Sequence, residues 1–316
     1  MLVVAQEKSF VTLDALAPFD PYSIERQVGN TPLLDLSNIA WRHGVSCNVT
    51  LYAKAEWYNR SSSIQARAAL HILRVAEHQG LLHRGMTIAD ATSGNMGVAY
   101  AMLGAARGYR VMLTVPANVR RERIQTMRAY GADIILTDPM DGMNGAIAEI
   151  KRLSLADPSL LYIDQYSNPA NWQAHYWTTA PEIWAQTAGR VTHFVAPIGT
   201  GGTFVGTARR LKQFNRHVRA VAIYPDHPFH GLEGWRHANG MLRSSFYDHS
   251  LVERRAYVRT ESAEKMAQEL TVEHGIAFGP SSGGAVAAAI NVARTLDSGV
   301  VVTTLAGNGQ QELINR

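Results

Sequence analysis

From about residue 50 to the end, short apolar runs alternate with stretches of helical periodicity, separated by turns rich in glycine and small polar residues. Met86–Ala89, Arg110–Val115, Asp133–Thr137, Leu161–Asp164, His193–Ile198, Ala220–Tyr224 and Val300–Leu305 read as strands. Helices are expected up to Gly108 and over Arg121–Tyr130, Met143–Ser154, Asn168–Ala188, Phe204–Phe214, Ala263–His274 and Gly284–Leu296. An earlier one is signalled by Ser63 as N-cap, by Ile64, Ala68, Ile72 and Val75 at helical spacing, and by Gly80 as a stop. Helices of this length between strands allow the chain to cross back over a sheet, so the strands are expected to pair in parallel. Parallel sheets are covered on both faces. The fold class is therefore α/β, doubly wound and three-layered, with no solenoid repeat and no low-complexity linker.

Composition narrows the function classes. Hydrophobic residues make up 46% of the 316 and charged residues 18%, a globular balance. The net charge of +4 is scattered. Its densest cluster, Arg120–Arg121–Glu122–Arg123, reads as a solvated helix face, so no nucleic-acid partner is expected. Cys47 is the only cysteine, which leaves no intrachain disulfide and no thiolate metal cluster. No apolar run reaches the length of a membrane span, and the charges within Met1–Phe10 come too early for a secretory signal. A cytoplasmic location away from membranes is the expectation.

Three turns stand where a helix begins. Gly199–Thr200–Gly201–Gly202–Thr203 follows an apolar strand. Glycines let backbone approach an anion closely, and a helix start offers free N–H groups. It lacks the lysine of a Walker loop, and the third glycine of a dinucleotide fingerprint falls at Phe204, which argues against a nucleotide-binding oxidoreductase. A phosphate cup and a plain structural turn both remain open. Thr92–Ser93–Gly94–Asn95 suits a carboxylate, or Thr92 or Ser93 caps the helix that follows. Gly279–Pro280–Ser281–Ser282–Gly283–Gly284 is the third. In open α/β sheets such turns gather at the carboxyl ends of strands, where ligands bind.

These segments also carry a resemblance. Gly29–Asn30–Thr31–Pro32–Leu33 resembles the opening motif of fold-type II pyridoxal-phosphate enzymes. Ala91–Thr92–Ser93–Gly94–Asn95–Met96–Gly97 resembles their substrate-carboxylate loop, Gly199–Thr203 their phosphate loop, and Ser281–Gly284 the segment whose serine meets the pyridine nitrogen. Asp164–Gln165–Tyr166, Asn168–Asn171, Ala174–Tyr176 and Arg128–Ala132 are similar to cysteine synthases in particular. The resemblance runs from about residue 25 to 300. It implies two doubly wound three-layer domains of the tryptophan synthase β-like architecture. A large domain, residues 1–49 and 154–316, would carry the phosphate loop, and a smaller mobile domain, residues 50–153, the carboxylate loop. It further implies pyridoxal 5'-phosphate in the cleft, an amino acid such as an O-activated serine as substrate, and a homodimer. Asn95 would bond the cofactor's ring oxygen, Gly199, Thr200, Gly201, Gly202 and Thr203 its phosphate, and Ser281 its ring nitrogen. Thr92, Ser93, Gly94 and Gln165 would hold the amino-acid carboxylate.

One departure bears on chemistry. Where the family reads approximately Asn-Pro-Gly-Gly-Ser-Val-Lys-Asp-Arg, this chain reads Asn59–Arg60–Ser61–Ser62–Ser63–Ile64–Gln65–Ala66–Arg67. Gln65 takes the place of the lysine that forms the Schiff base and moves the α-proton. An amide does neither, and losing a positioned acid/base costs about a hundred- to ten-thousand-fold. Ala66 and Arg60–Ser61–Ser62 depart with it, which favours natural divergence over one engineered exchange. The other lysines are Lys8, Lys54, Lys151, Lys212 and Lys265, with Lys54 on the preceding strand the first substitute to test. Ala306–Gly307–Asn308–Gly309–Gln310 also replaces the acidic, Arg-containing loop of many relatives.

The stretch His227–Pro228–Phe229–His230–Gly231–Leu232–Glu233–Gly234–Trp235–Arg236–His237 is similar to a cleft-mouth loop of cysteine synthases. Loop-packing histidines are favoured over a metal site, and His230 stands as a candidate proton carrier. Two functions follow. One is an altered enzyme that holds pyridoxal phosphate non-covalently, or receives it already joined to an amino acid, for β-elimination or β-replacement. The other is a catalytically inactive relative that binds an amino acid or an active partner, with or without the cofactor.

Overall fold

The computed structural model describes residues 10–16, 23–240 and 244–307. Lys8 and Asn308 to Gln310 lie outside them. Two sheets organise the chain. The larger has six strands in the order β1 (Leu33–Asp35), β2 (Val49–Ala55), β10 (Gly299–Leu305), β7 (His193–Pro197), β8 (Arg219–Pro225) and β9 (Arg254–Val258). The smaller has four, β5 (Asp133–Thr137), β4 (Arg110–Pro116), β3 (Thr87–Ala91) and β6 (Leu160–Tyr162). Every pairing is parallel except the antiparallel β1–β2.

Alternate side chains of each strand feed different cores, so both faces of both sheets are covered. In β8, Val221 and Ile223 pack with α1 (Ser37–Arg42), α9 (Thr260–His274) and α10 (Pro280–Ala293). Ala220, Ala222 and Tyr224 pack with α7 (Thr179–Gln186) and α8 (Gly202–Phe214). In the smaller sheet, Ile88 joins the core of α2 (Gln65–His78), α3 (Asn95–Ala106), α4 (Arg121–Ala129) and α6 (Ala170–Trp177). Ala89 and Ala91 face α5 (Gly142–Ala156). This is the expected three-layer α/β architecture, in two lobes.

Four expectations need correction. The boundaries at 50 and 153 do not follow the sheets, since β2 pairs within the large sheet and β6 within the small one. Which sheet a strand joins depends on partners far along the chain, which a local pattern does not reveal. The helix expected over Asn168–Ala188 breaks at Thr178, because Pro181 has no N–H to offer the carbonyl of Trp177. Ser63 does not cap α2 with its side chain. Its hydroxyl instead lies 3.2 Å from that of Ser61, and its backbone bridges to Gly307. Finally, β9 went unforeseen because it is an edge strand opening on Arg254–Arg255, with charges that suit an edge and mask a strand pattern.

Candidate active site

Four helices begin at one cavity of about 400 Å³ between the lobes: α2 and α3 on one side, α8 and α10 on the other. The turns that line it follow the carboxyl ends of β2, β3, β7 and β10, as parallel α/β sheets dictate. Each helix start leaves N–H groups without intrahelical partners and a partial positive charge. Two anionic groups can therefore be held at once, one from each lobe.

At the start of α8 the glycines are fixed by close approach. A Cβ on Gly202 would lie 2.0 Å from Asn171 Oδ1, and one on Gly199 2.4 Å from the Gly234 carbonyl. Gly201 has φ +88°, a left-handed conformation that favours glycine. Among the described residues, the amides of Thr200, Gly201 and Thr203 have no acceptor. Thr203 Oγ1 lies 3.2 Å from His175 Nε2, whose Nδ1 lies 2.9 Å from Thr179 Oγ1. Burial, with Arg67 and His71 nearby, pushes His175 down to about 3, so it stays neutral and serves as a fixed hydrogen-bond partner.

At the start of α3 the hydroxyl of Thr92 is committed. It accepts from the amides of Gly94 at 3.2 Å and Gly97 at 3.1 Å, which makes it a cap for the helix. Ser93 is exposed to the cavity and has no partner among the described residues. Gln165 donates from Nε2 to the Ala91 carbonyl at 2.8 Å and lines the floor. Ser281, at the start of α10, lines the opposite wall, where Ser282 Oγ donates to the Gly307 carbonyl at 2.9 Å.

Gln65 opens α2 and lines the cavity, and its buried Oε1 has no hydrogen-bond donor. Ser62 beside it has φ +55°, a left-handed conformation rare for a residue with a side chain. Among the described residues no lysine lines the cavity. Lys54 is fully buried behind it and donates to Thr31 O at 2.5 Å and Thr31 Oγ1 at 2.6 Å, with Glu182 Oε2 2.6 Å away. Arg67 joins the same network, with its Nε donating to Glu56 Oε2 at 2.7 Å and its Nη1 to Glu182 Oε1 at 2.7 Å. Burial acts to raise the Glu182 carboxyl, but Arg67 and Lys54 hold it down at about 2. Two carboxylates and two cations balance there, and Lys54 does not reach the cavity. Lys151 sits 5.8 Å from the Tyr162 ring, Lys212 donates to Val218 O, and Lys265 is on the exposed face of α9.

A model of the family described as pyridoxal-phosphate dependent enzyme matches residues 24–307. The chain belongs to the pyridoxal-phosphate-dependent enzymes. It is 42% identical over 304 residues to a cysteine synthase of Aquifex aeolicus, covering 93% of each chain. Cysteine synthase of Entamoeba histolytica superposes with a TM-score of 0.87 at 31% identity, covering 94% of this chain and 91% of that one. A lysine-to-alanine mutant of O-ureido-L-serine synthase, solved with O-ureido-L-serine bound, superposes with a TM-score of 0.86 at 31% identity, covering 94% of this chain and 93% of that one. The family's cofactor is pyridoxal phosphate, and the fold is that of cysteine synthases.

The residues present fit that cofactor in every respect but one. The glycine cradle and open amides of α8 suit its phosphate, and Ser281 and Asn95 face the same space. A lysine amine is what the cavity lacks. Of the residues singled out in the sequence, Gln65, Thr92, Ser93, Gly94, Asn95, Gln165, Gly199 to Thr203 and Ser281 all line it. His230 does not: its Nδ1 accepts from the Leu232 amide at 3.2 Å, a loop-packing bond. Among the described residues no group of three metal-ligating side chains is assembled, in the histidine-rich loop or elsewhere. No helix among them is long and apolar enough to cross a membrane.

Three lining residues, Arg123, Glu233 and Arg236, receive no site role from the sequence, although the last two lie in the loop placed at the cleft mouth. Arg123, read as part of a solvated face, turns into the cavity with only 11% of its side chain exposed. It meets Glu233, which lines the cavity with Arg236 from the loop after β8. No sequence signal separates Arg123 from Arg120, which shares its helix face and is 49% exposed.

Proposed function

We propose that this chain holds pyridoxal phosphate without a covalent bond and acts on an amino acid of the O-activated serine class by β-elimination or β-replacement, more slowly than a lysine-bearing relative. The observation that carries the reading is the orphaned Gln65 Oε1 in a cavity whose anion-holding turns are intact. Bound there, pyridoxal phosphate supplies an electron sink that acidifies the α-carbon of an amino acid. The amides of Thr200, Gly201 and Thr203 bind its phosphate. Ser281 faces its ring nitrogen and Asn95 its ring oxygen. Ser93, Gly94, Gln165 and the α3 start orient the amino-acid carboxylate, while Thr92 shapes that loop by capping.

Gln65 accepts a hydrogen bond from a substrate amine and takes no proton from it. His175 is bound to Thr179 and Thr203, and His230 faces elsewhere, so no histidine is positioned as base. With no lining side chain placed as base, the α-proton would have to leave to water or to the amine of a second, unbound substrate molecule, which accounts for the slower reaction. The lysine-to-alanine relative with O-ureido-L-serine bound supports holding an amino acid after a lysine is lost. The same absence of a positioned base favours a second reading: an inactive relative that binds an amino acid or pairs with an active synthase. A homodimer in the cytoplasm is part of the first reading.

Turnover separates the two. Incubation with pyridoxal phosphate and O-acetylserine, followed by pyruvate or cysteine release, supports the enzyme. Cofactor bound with no turnover of any O-activated serine, together with capture of an active synthase, supports the inactive relative.

A further inference from the structure

Asn95 is the first residue of α3 and part of the cavity wall. Its Oδ1 accepts a hydrogen bond from Arg123 Nη1. A guanidinium only donates, so the atom it meets must be the amide oxygen. That contact fixes which way the Asn95 amide points. Its Nδ2 is turned toward Gly307 at the cavity and has no acceptor among the described residues. Asn95 therefore offers the ligand a donor and never an acceptor.

Arg123 is itself clamped. Its Nη2 donates to Glu233 Oε2 at 2.8 Å, and its Nε lies 2.7 Å from Glu233 Oε1. Arg120 approaches the same carboxylate at 3.8 Å. Arg123 stands on α4 and Asn95 on α3, both packed on the small sheet, whereas Glu233 belongs to the loop after β8 of the large sheet. Glu233, Arg123 and Asn95 thus form one polar chain that crosses between the lobes and ends on an atom facing the ligand. A surface ion pair contributes little, but here one partner is nearly buried and its third contact is to a cavity residue.

We propose that Arg123 is a positioning residue that, held by Glu233 from the opposite lobe, sets Asn95 as hydrogen-bond donor to the ring oxygen of pyridoxal phosphate. Closure of the lobes and correct presentation of that donor are then one event. When the lobes part, Arg123 loses Glu233 and the Asn95 amide is free to rotate. This rests on the reading that the cavity holds the cofactor.

The test uses the full chain, with pyridoxal phosphate affinity and the pH midpoint of its bound visible band as readouts. Arg123→Gln should weaken binding about tenfold, the scale of one hydrogen bond to a charged partner, and move the midpoint upward as the ring oxygen loses its donor. In an Asn95→Ala background the same exchange should add nothing, because Arg123 acts through Asn95. Arg123→Lys, which can still donate to Asn95 Oδ1, should recover part of the affinity and midpoint, and it also serves if Arg123→Gln does not fold. Glu233→Gln should fall between. Additive effects of Arg123→Gln and Asn95→Ala, or unchanged affinity and midpoint in the Arg123 variants, overturn the proposal while leaving the cofactor reading intact. No binding by the unaltered chain overturns the cofactor reading and this proposal with it.

Discussion

The starts of α8 and α2 face each other across the cavity, and they differ in kind. At α8, backbone does the work: a Cβ added at Gly199, Gly201 or Gly202 would lie 2.0 to 2.7 Å from a neighbouring atom, so the turn has no room for side chains there. At α2, a side chain is required, and Gln65 supplies an amide whose oxygen has no partner. On the proposed reading, the first region grips the phosphate and the second, with an amide in place of an amine, forms no covalent bond to the cofactor. Gripping and attachment are thus separable devices in this fold, and a chain that keeps the first alone still has reason to keep its packed cradle. Each substitution below either breaks or sharpens that contrast.

Gln65→Lys has the largest expected effect. It should create a lysine that borohydride fixes to the cofactor and raise β-elimination by about a hundred- to ten-thousand-fold, the value of a positioned acid/base. Intact mass and pyruvate release check it. No adduct would show that the α2 start differs in more than one side chain, with Ser62 and Ala66 the next suspects.

Glu182→Ala comes second. It strips the buried network that holds Lys54, leaving Arg67 and Lys54 in excess, and should cost about 3–5 kcal/mol in chemical denaturation. The sign of the pH dependence follows from Glu182. Its folded carboxyl lies at about 2, below its unfolded value, so its contribution is full above the unfolded pKa and is lost as pH falls toward 2. The variant should lose less stability over that acidic range than the unaltered chain. A cost under about 1 kcal/mol, the scale of a surface pair, would mean Lys54 is not committed to structure and is free to reach the cavity.

Gly202→Ala should weaken cofactor binding by about ten- to a hundredfold, because the added methyl pushes Asn171 or the loop aside and misaligns amide donors to a charged phosphate. Equilibrium titration by absorbance measures it. Unchanged affinity would place the phosphate elsewhere. Ser281→Ala is the mildest, about two- to tenfold in affinity for one neutral hydrogen bond, read in the same titration.

Much of this was legible because it is local. The turns at 92–95 and 199–203 each lie between a strand and a helix close in sequence, and with the starts of α2 and α10 they bring Gln65, Asn95, Gly199 to Thr203 and Ser281 to one cavity. What was not legible is long-range or double in meaning. Arg123 and Glu233 are 110 residues apart, and an arginine in a basic cluster looks the same whether it faces water or a carboxylate. Thr92 has the chemistry to hold a carboxylate and the position to cap a helix, and the structure uses its oxygen for the cap. Lys54 sits close in sequence to Gln65, but β2 carries its side chain into the ion network behind the cavity. An imidazole can carry protons near neutral pH, yet the His230 ring packs the loop, where burial and the nearby His237 push its pKa down.

The most direct measurement is intact mass with peptide mapping after the unaltered protein, loaded with pyridoxal phosphate and showing its visible absorbance, is reduced with borohydride. We expect bound cofactor before reduction and no mass gain afterwards. A cofactor adduct mapped to Lys54 or any other lysine would contradict non-covalent holding and show that another residue has taken the place of the missing amine.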